Sequence, residues 1–148
     1  MEIVDTLGFL VGTWAVTRSI TDHRGEVQGL FEGTATWTET PRPADGVAPD
    51  RASYWEAGNL EFGAHRGPAT RRLEGARRGG IAMMLYFGDG RPYVDLDLRS
   101  GRWQAKHPCG DDEYDIVTLV HSYLTMEERW RVKGPATHYS AVTVLTRL

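Results

Sequence analysis

The chain predicts an all-β protein: an antiparallel up-and-down barrel of about ten strands, entered through a short N-terminal helical turn. Three observations predict it. Apolar and polar residues alternate with period two through most of the 148 residues, which is the pattern of half-buried strands. The alternating runs are short and separated by turns of hairpin length rich in Gly, Asp and Asn. No segment sustains a helical period over three turns. Closing so many short strands into a barrel would also remove the edges on which chains aggregate.

Taken in order, Asp5–Leu10 reads as one helical turn, with Asp5 as its cap and Leu7, Phe9 and Leu10 as its apolar side. Gly12 releases the chain into a strand over Thr13–Thr21, where Trp14, Val16 and Ile20 alternate with Thr13, Ala15, Thr17 and Ser19. Asp22-His23-Arg24-Gly25 turns it into a long strand or strand pair over Glu26–Glu39. Pro41–Asp50 carries Pro41, Pro43 and Pro49 and reads as a loop and candidate lid. Ala52–Ala57 and Leu60–Arg66 are expected as two strands around a Gly58-Asn59 turn. Thr70–Glu74, Ile81–Phe87, Tyr93–Leu98, Arg102–His107, Glu113–Val120, Met126–Lys133 and Thr137–Arg147 complete the set. The whole is expected to be a single domain, 1–148.

Composition narrows the function classes. Hydrophobic residues make up 41% and charged residues 25%, as in ordinary globular proteins. Seventeen basic against 20 acidic residues leave a net charge of −3. That supplies no global attraction for nucleic acid or an anionic membrane, and neither is expected as a partner. Cys109 is the one cysteine, so no internal disulfide forms within the chain. No apolar run reaches bilayer length and no basic-then-apolar leader opens the sequence, so a cytoplasmic protein is expected.

Strand parity assigns faces. Trp103, Ala105 and His107 fall inward, as do Val94, Leu96 and Leu98 against Asp95 and Asp97. Leu60, Phe62, Ala64 and Arg66 share an inward face, and so do Met126, Glu128, Trp130 and Val132. Glu56 cannot be placed by alternation. The inferred interior is aromatic and apolar with a few polar groups, His107, Arg66, Glu56, Tyr114 and Glu128, which is how small-molecule sites are lined. The competing reading is a barrel filled by its own five Trp and six Tyr.

Other clusters carry less. His107-Pro108-Cys109 invites a nucleophile reading, but Pro108 should break the strand ladder there, and lone cysteines are more often small apolar groups. Asp111, Asp112, Glu113 and Asp115 read as a solvated turn. Arg66, Arg71, Arg72, Arg77 and Arg78 read as a solvated outer face. The five histidines show no metal-ligand spacing, so no metal and no cofactor is expected.

Gly12-Thr13-Trp14, following one short turn, resembles the Gly-x-Trp signature of the lipocalin-like (calycin) superfamily. That resemblance implies a basic residue near the last strand packing over the Trp, with Arg147 or alternatively Arg131 in the place. A second resemblance spans nearly the whole chain. His107-x-Cys109-x-x-Asp112-x-Tyr114, Trp130-x-Val132-x-Gly134-Pro135 and Tyr139 resemble the bacterial and fungal domain-of-unknown-function family 6314. Glu56-x-Gly58-x-Leu60, Phe62-x-Ala64-x-Arg66 and the run from Gly90-Arg91 to Leu98 extend the likeness. It implies a small lipocalin-like barrel and no established activity. Two departures stand out: the family usually has an aromatic-His pair at Tyr93-Val94, and Arg-Lys at Ala136-Thr137. A histidine at 94 would share the interior with His107, so the resemblance implies a divergent member with a different small molecule.

The leading expectation is a binding barrel for a small, mostly apolar molecule. Arg66, His107 and Tyr114 would fix its polar end, and Trp103, Trp130 and Tyr139 would line it. The alternative is a cofactor-independent cyclase or isomerase for a hydrophobic, polyketide-like substrate. There His107 or Glu56 would serve as general acid or base, with Arg66 or Tyr139 opposing developing negative charge. A lesser alternative is haem, since nitrobindin-like barrels resemble this opening and place a His near the last strand, as His138 stands here. A barrel acting through a homodimer surface is a further alternative.

Overall fold

The alternating runs form ten strands in one antiparallel sheet in the computed structural model, which describes residues 2–40 and 50–148. A short helix, α1 (Thr6–Leu10), precedes β1 (Gly12–Asp22), β2 (Val27–Glu39), β3 (Arg51–Phe62), β4 (His65–Arg78) and β5 (Ala82–Phe87). Then come β6 (Pro92–Leu96), β7 (Arg102–Cys109), β8 (Asp112–Val120), β9 (Thr125–Lys133) and β10 (His138–Arg147). The candidate lid, apart from Asp50, lies outside the described residues. Among the described residues no helix is long and apolar enough to cross a membrane.

Each strand pairs with its sequence neighbour except at β6 and β7, and β1 joins β10, giving the order β6-β5-β4-β3-β2-β1-β10-β9-β8-β7. The result is a nearly closed up-and-down barrel. Closure is incomplete, against the expectation that no edge would remain. No ladder joins β6 to β7, although only five residues, 97–101, separate them in sequence. Side chains bridge this seam instead: the Trp103 indole N–H donates to the Asp95 carbonyl at 3.0 Å, and Tyr93 meets His107 edge to face.

Two strand boundaries differ from the sequence reading, for physical reasons. Gly58-Asn59 is not a turn. The strand runs through it as β3, with Gly58 opposite Gly33 of β2. A β-carbon on either glycine would strike the other strand's backbone, so these glycines serve close approach of two strands. The turn falls at Gly63-Ala64, where Gly63 has φ +60°. The ladder also runs on through Pro108, which pairs with Glu113, to Cys109 opposite Asp112. Proline is tolerated in a strand that, like β7, ends the sheet order and has a ladder on one side only.

The end of the barrel beneath α1 is plugged. Trp14 is 0% exposed and donates its indole N–H to the Leu10 carbonyl at 2.9 Å. It is Arg147, not Arg131, that covers it. Its guanidinium carbon lies 4.1 Å from the Trp14 ring centre and 4.4 Å from that of Tyr123. Its N–H groups donate to the carbonyls of Phe9 (2.6 Å), Val11 (3.1 Å) and Tyr123 (3.0 Å). The backbone of Gly12 passes this guanidinium at φ +128°, a conformation that favours glycine. Asp5 stands at the N-cap position of α1, but its carboxylate is taken by Arg77 at 2.7 Å.

Candidate functional site

Above Trp14 the described residues leave the interior unfilled. The cavity there measures about 60 Å³, within roughly 730 Å³ of unfilled space that includes its opening. Leu10, Leu73, Leu85, Ile116 and Met126 contribute aliphatic wall, and Trp14, Trp37, Tyr54, Tyr93 and Trp103 contribute rings. Into these walls the sheet register delivers two polar rows. Thr118, Glu128, Thr143 and Arg18 lie side by side across β8, β9, β10 and β1. Ala35, Glu56 and Arg71 lie side by side across β2, β3 and β4.

The two rows meet in a saturated network. Arg18 donates both terminal nitrogens to Glu56 at 2.8 Å each, and its Nε to the Thr143 hydroxyl at 2.8 Å. Tyr54 donates its hydroxyl to Glu56 at 2.6 Å. Glu56 is 2% exposed. Burial pushes its carboxyl up, but the Arg18 hydrogen bonds and charge more than offset this and hold it below the usual carboxylate range. Burial, with the adjacent Glu56 charge, drives the Tyr54 phenol far up, so it stays a donor.

Arg71 and Glu128 are different. Both line the cavity and both are half-buried. Neither has an oppositely charged side chain within 4.0 Å among the described residues. Burial opposes the charge of Arg71, yet Glu128 and the Tyr93 and Tyr54 phenols outweigh it and raise its pKa. The guanidinium also reaches the Tyr93 hydroxyl, whose own pKa burial pushes up to about 12.

The expected site residues separate into groups. Trp103 lines the cavity. His107, Tyr114 and Trp130 form a ring cluster one layer further from α1, and His107 does not line the cavity. The His107 ring stands 5.8 Å from each of Phe87, Tyr93 and Tyr114, and Tyr114 lies parallel to Trp130 at 6.5 Å. Tyr139 is half-buried opposite Val132, in that upper layer. Arg66 is a correction: the Gly63-Ala64 turn breaks the parity that placed it inward, and it lies outside, 79% exposed beside Glu61. His138 is another. It stacks on His23 at 4.3 Å on the outer face, so it offers no axial ligand to a haem inside the barrel. Cys109 is exposed, and Asp112 packs against Gly134 so closely that no β-carbon fits there. Pro135, next to it, accepts from Arg24 at 2.7 Å.

Sequence reading missed Arg18, and it put Arg71 on a solvated outer face, whereas Arg71 is half-buried and lines the cavity. Arg18 shares parity with Trp14, Val16 and Ile20, and Arg71 shares it with Leu73, so alternation contained both. The second wall of the seam was less legible. Between β5 and β6 the register shifts, leaving Tyr93 and Val94 together opposite one residue of β5. Both therefore face inward, 7% and 6% exposed, where strict alternation admits only Val94.

With that geometry in view, residues 10–147 match the model of a family described as being of unknown function, DUF6314. The chain belongs to that family. No curated protein matches it. Among solved structures it resembles the S-type phycobiliprotein lyase of Guillardia theta, at 8% identity over 96% of this chain and 90% of that one, with a TM-score of 0.64. It also resembles a de novo designed fluorescence-activating β-barrel, at 15% identity over 99% and 100% of the two chains, with a TM-score of 0.50. At such identities the likeness is one of fold.

Proposed function

We propose that this DUF6314 barrel binds a small, mostly apolar molecule in its interior. The observation that carries the reading is the cavity itself: an aromatic and aliphatic chamber between Trp14 and Tyr93, lined also by Arg71, Asp95 and Glu128, none of which is in an ion pair among the described residues. A barrel evolved only to pack would fill that space. Support also comes from the fold neighbours, since one is a phycobiliprotein lyase and the other a fluorescence-activating barrel. The binding reading is favoured over the cyclase reading by where the two expected acid-base residues stand. Glu56 has its oxygens occupied by Arg18 and Tyr54, and His107 sits among rings outside the cavity lining.

The test is a titration with the neutral fluorophore N-phenyl-1-naphthylamine. Saturable binding with a blue-shifted emission is expected for the native chain. Ala105→Phe, which places a ring into the cavity wall, should weaken it at least about tenfold, since a ring cannot share the space. Equal binding by both proteins would put the ligand elsewhere and end the reading.

A further inference from the structure

We infer that the ligand carries an anionic oxygen group, a carboxylate or phenolate, seated on Arg71, and beside it a hydrogen-bond donor directed at Glu128. This deepens the binding reading above and rests on it. The cavity wall holds two guanidinium groups, and only one is spent. Arg18 is neutralised by a two-pronged contact with Glu56 and has its Nε on Thr143. Arg71 has no carboxylate within 4.0 Å among the described residues, and Tyr93 engages it through a single hydroxyl. A guanidinium presents five N–H donors in a planar fork, so most of this fork remains for water or ligand. Glu128 and the nearby phenols offset the burial of this cation, but no carboxylate pairs with its fork among the described residues. A flat acid is the ligand chemistry that matches the fork.

Glu128 fixes the second point. It lies in the row of Thr118, Thr143 and Arg18, and its charge acts on Arg71 more strongly than that of any other side chain. Within the described residues it has no ion pair closer than 4.0 Å. A ligand bringing only an anion would be repelled by this carboxylate, whereas one that also offers an O–H or N–H satisfies both groups. The walls set the rest. Trp14, Trp37, Tyr54 and Trp103 present ring surface, which suits a planar aromatic body. The class that this wall chemistry suits is therefore an aromatic hydroxy acid.

Three probes decide it by calorimetry: 3-hydroxy-2-naphthoate, its methyl ester, and 2-methoxynaphthalene. The native protein should bind the hydroxy acid at least about tenfold more tightly than 2-methoxynaphthalene, the size of one charge-assisted contact, with the ester between them. Arg71→Gln should erase that preference, while Arg71→Lys keeps part of it. Glu128→Gln should weaken the hydroxy acid less than Arg71→Gln does. Equal affinity of the native protein for all three probes overturns the assignment of Arg71 without any variant needing to fold, and leaves the binding reading standing. Binding of none of them overturns both.

Discussion

Glu56 shows how one buried carboxylate can be committed to structure. It accepts from Arg18 twice and from Tyr54 once, and its native pKa lies below the ordinary value because those partners outweigh burial. A carboxyl depressed in the folded state contributes stability that is present above its unfolded pKa, about 4.3. That contribution is lost as pH falls through the native value. Glu56→Gln should therefore cost about 3–5 kcal/mol in urea unfolding at pH 7, because it strands the buried Arg18 charge. The gap between variant and native protein should narrow as the pH is lowered below 4. Replacing Arg18 and Glu56 together by Met and Leu should cost much less, since no charge is left unpaired. At this scale the sequence was half legible. Parity carries Arg18 and Arg71 inward with their apolar neighbours, but which arginine meets a carboxylate depends on register across four strands, and that register is set by turns far from either residue.

At the scale of elements, glycine is where reading and structure part. Gly58-Asn59 has the composition of a hairpin turn, yet Gly58 lies mid-strand against Gly33. The misplacement propagated: it ended a strand early, carried the parity through Gly63-Ala64, and put Arg66 inside. Turn chemistry and close-approach chemistry both select glycine, so local sequence does not separate them. Gly58→Ala should destabilise the protein by about 1–3 kcal/mol through overpacking against β2, as read from the unfolding midpoint. In a solvent-exposed turn with ordinary backbone angles the same change would be close to neutral. The seam between β6 and β7 makes a second prediction at this scale. Trp103→Phe keeps the ring and removes the donor to Asp95. Losing about 1 kcal/mol there should speed amide exchange in β6 several-fold, while exchange in β1, paired on both sides, stays unchanged.

The whole molecule combines a rigid closed end with an open interior. Arg147, Trp14 and α1 seal one end, and among the described residues nothing comparable occupies the chamber above them. An unfilled chamber forfeits the contacts its walls would otherwise make, so the chain retains it at the expense of stability, as sites kept for function do. This separates a binding barrel from a packing defect by opposed responses to one substitution. Ala105→Phe fills the cavity from β7. If its walls accept the ring, melting temperature should rise by a few degrees, the effect of about 1 kcal/mol in a chain of this length, while affinity for N-phenyl-1-naphthylamine falls. Ligand should stabilise the native protein by the complementary route. At a hundred times its dissociation constant it adds about 2.7 kcal/mol, or roughly 5–10 °C, and the filled variant should gain almost none of this. A differential scan of both proteins with and without ligand checks the pair of outcomes together. Equal shifts in the two proteins would mean that the chamber is not where the molecule binds.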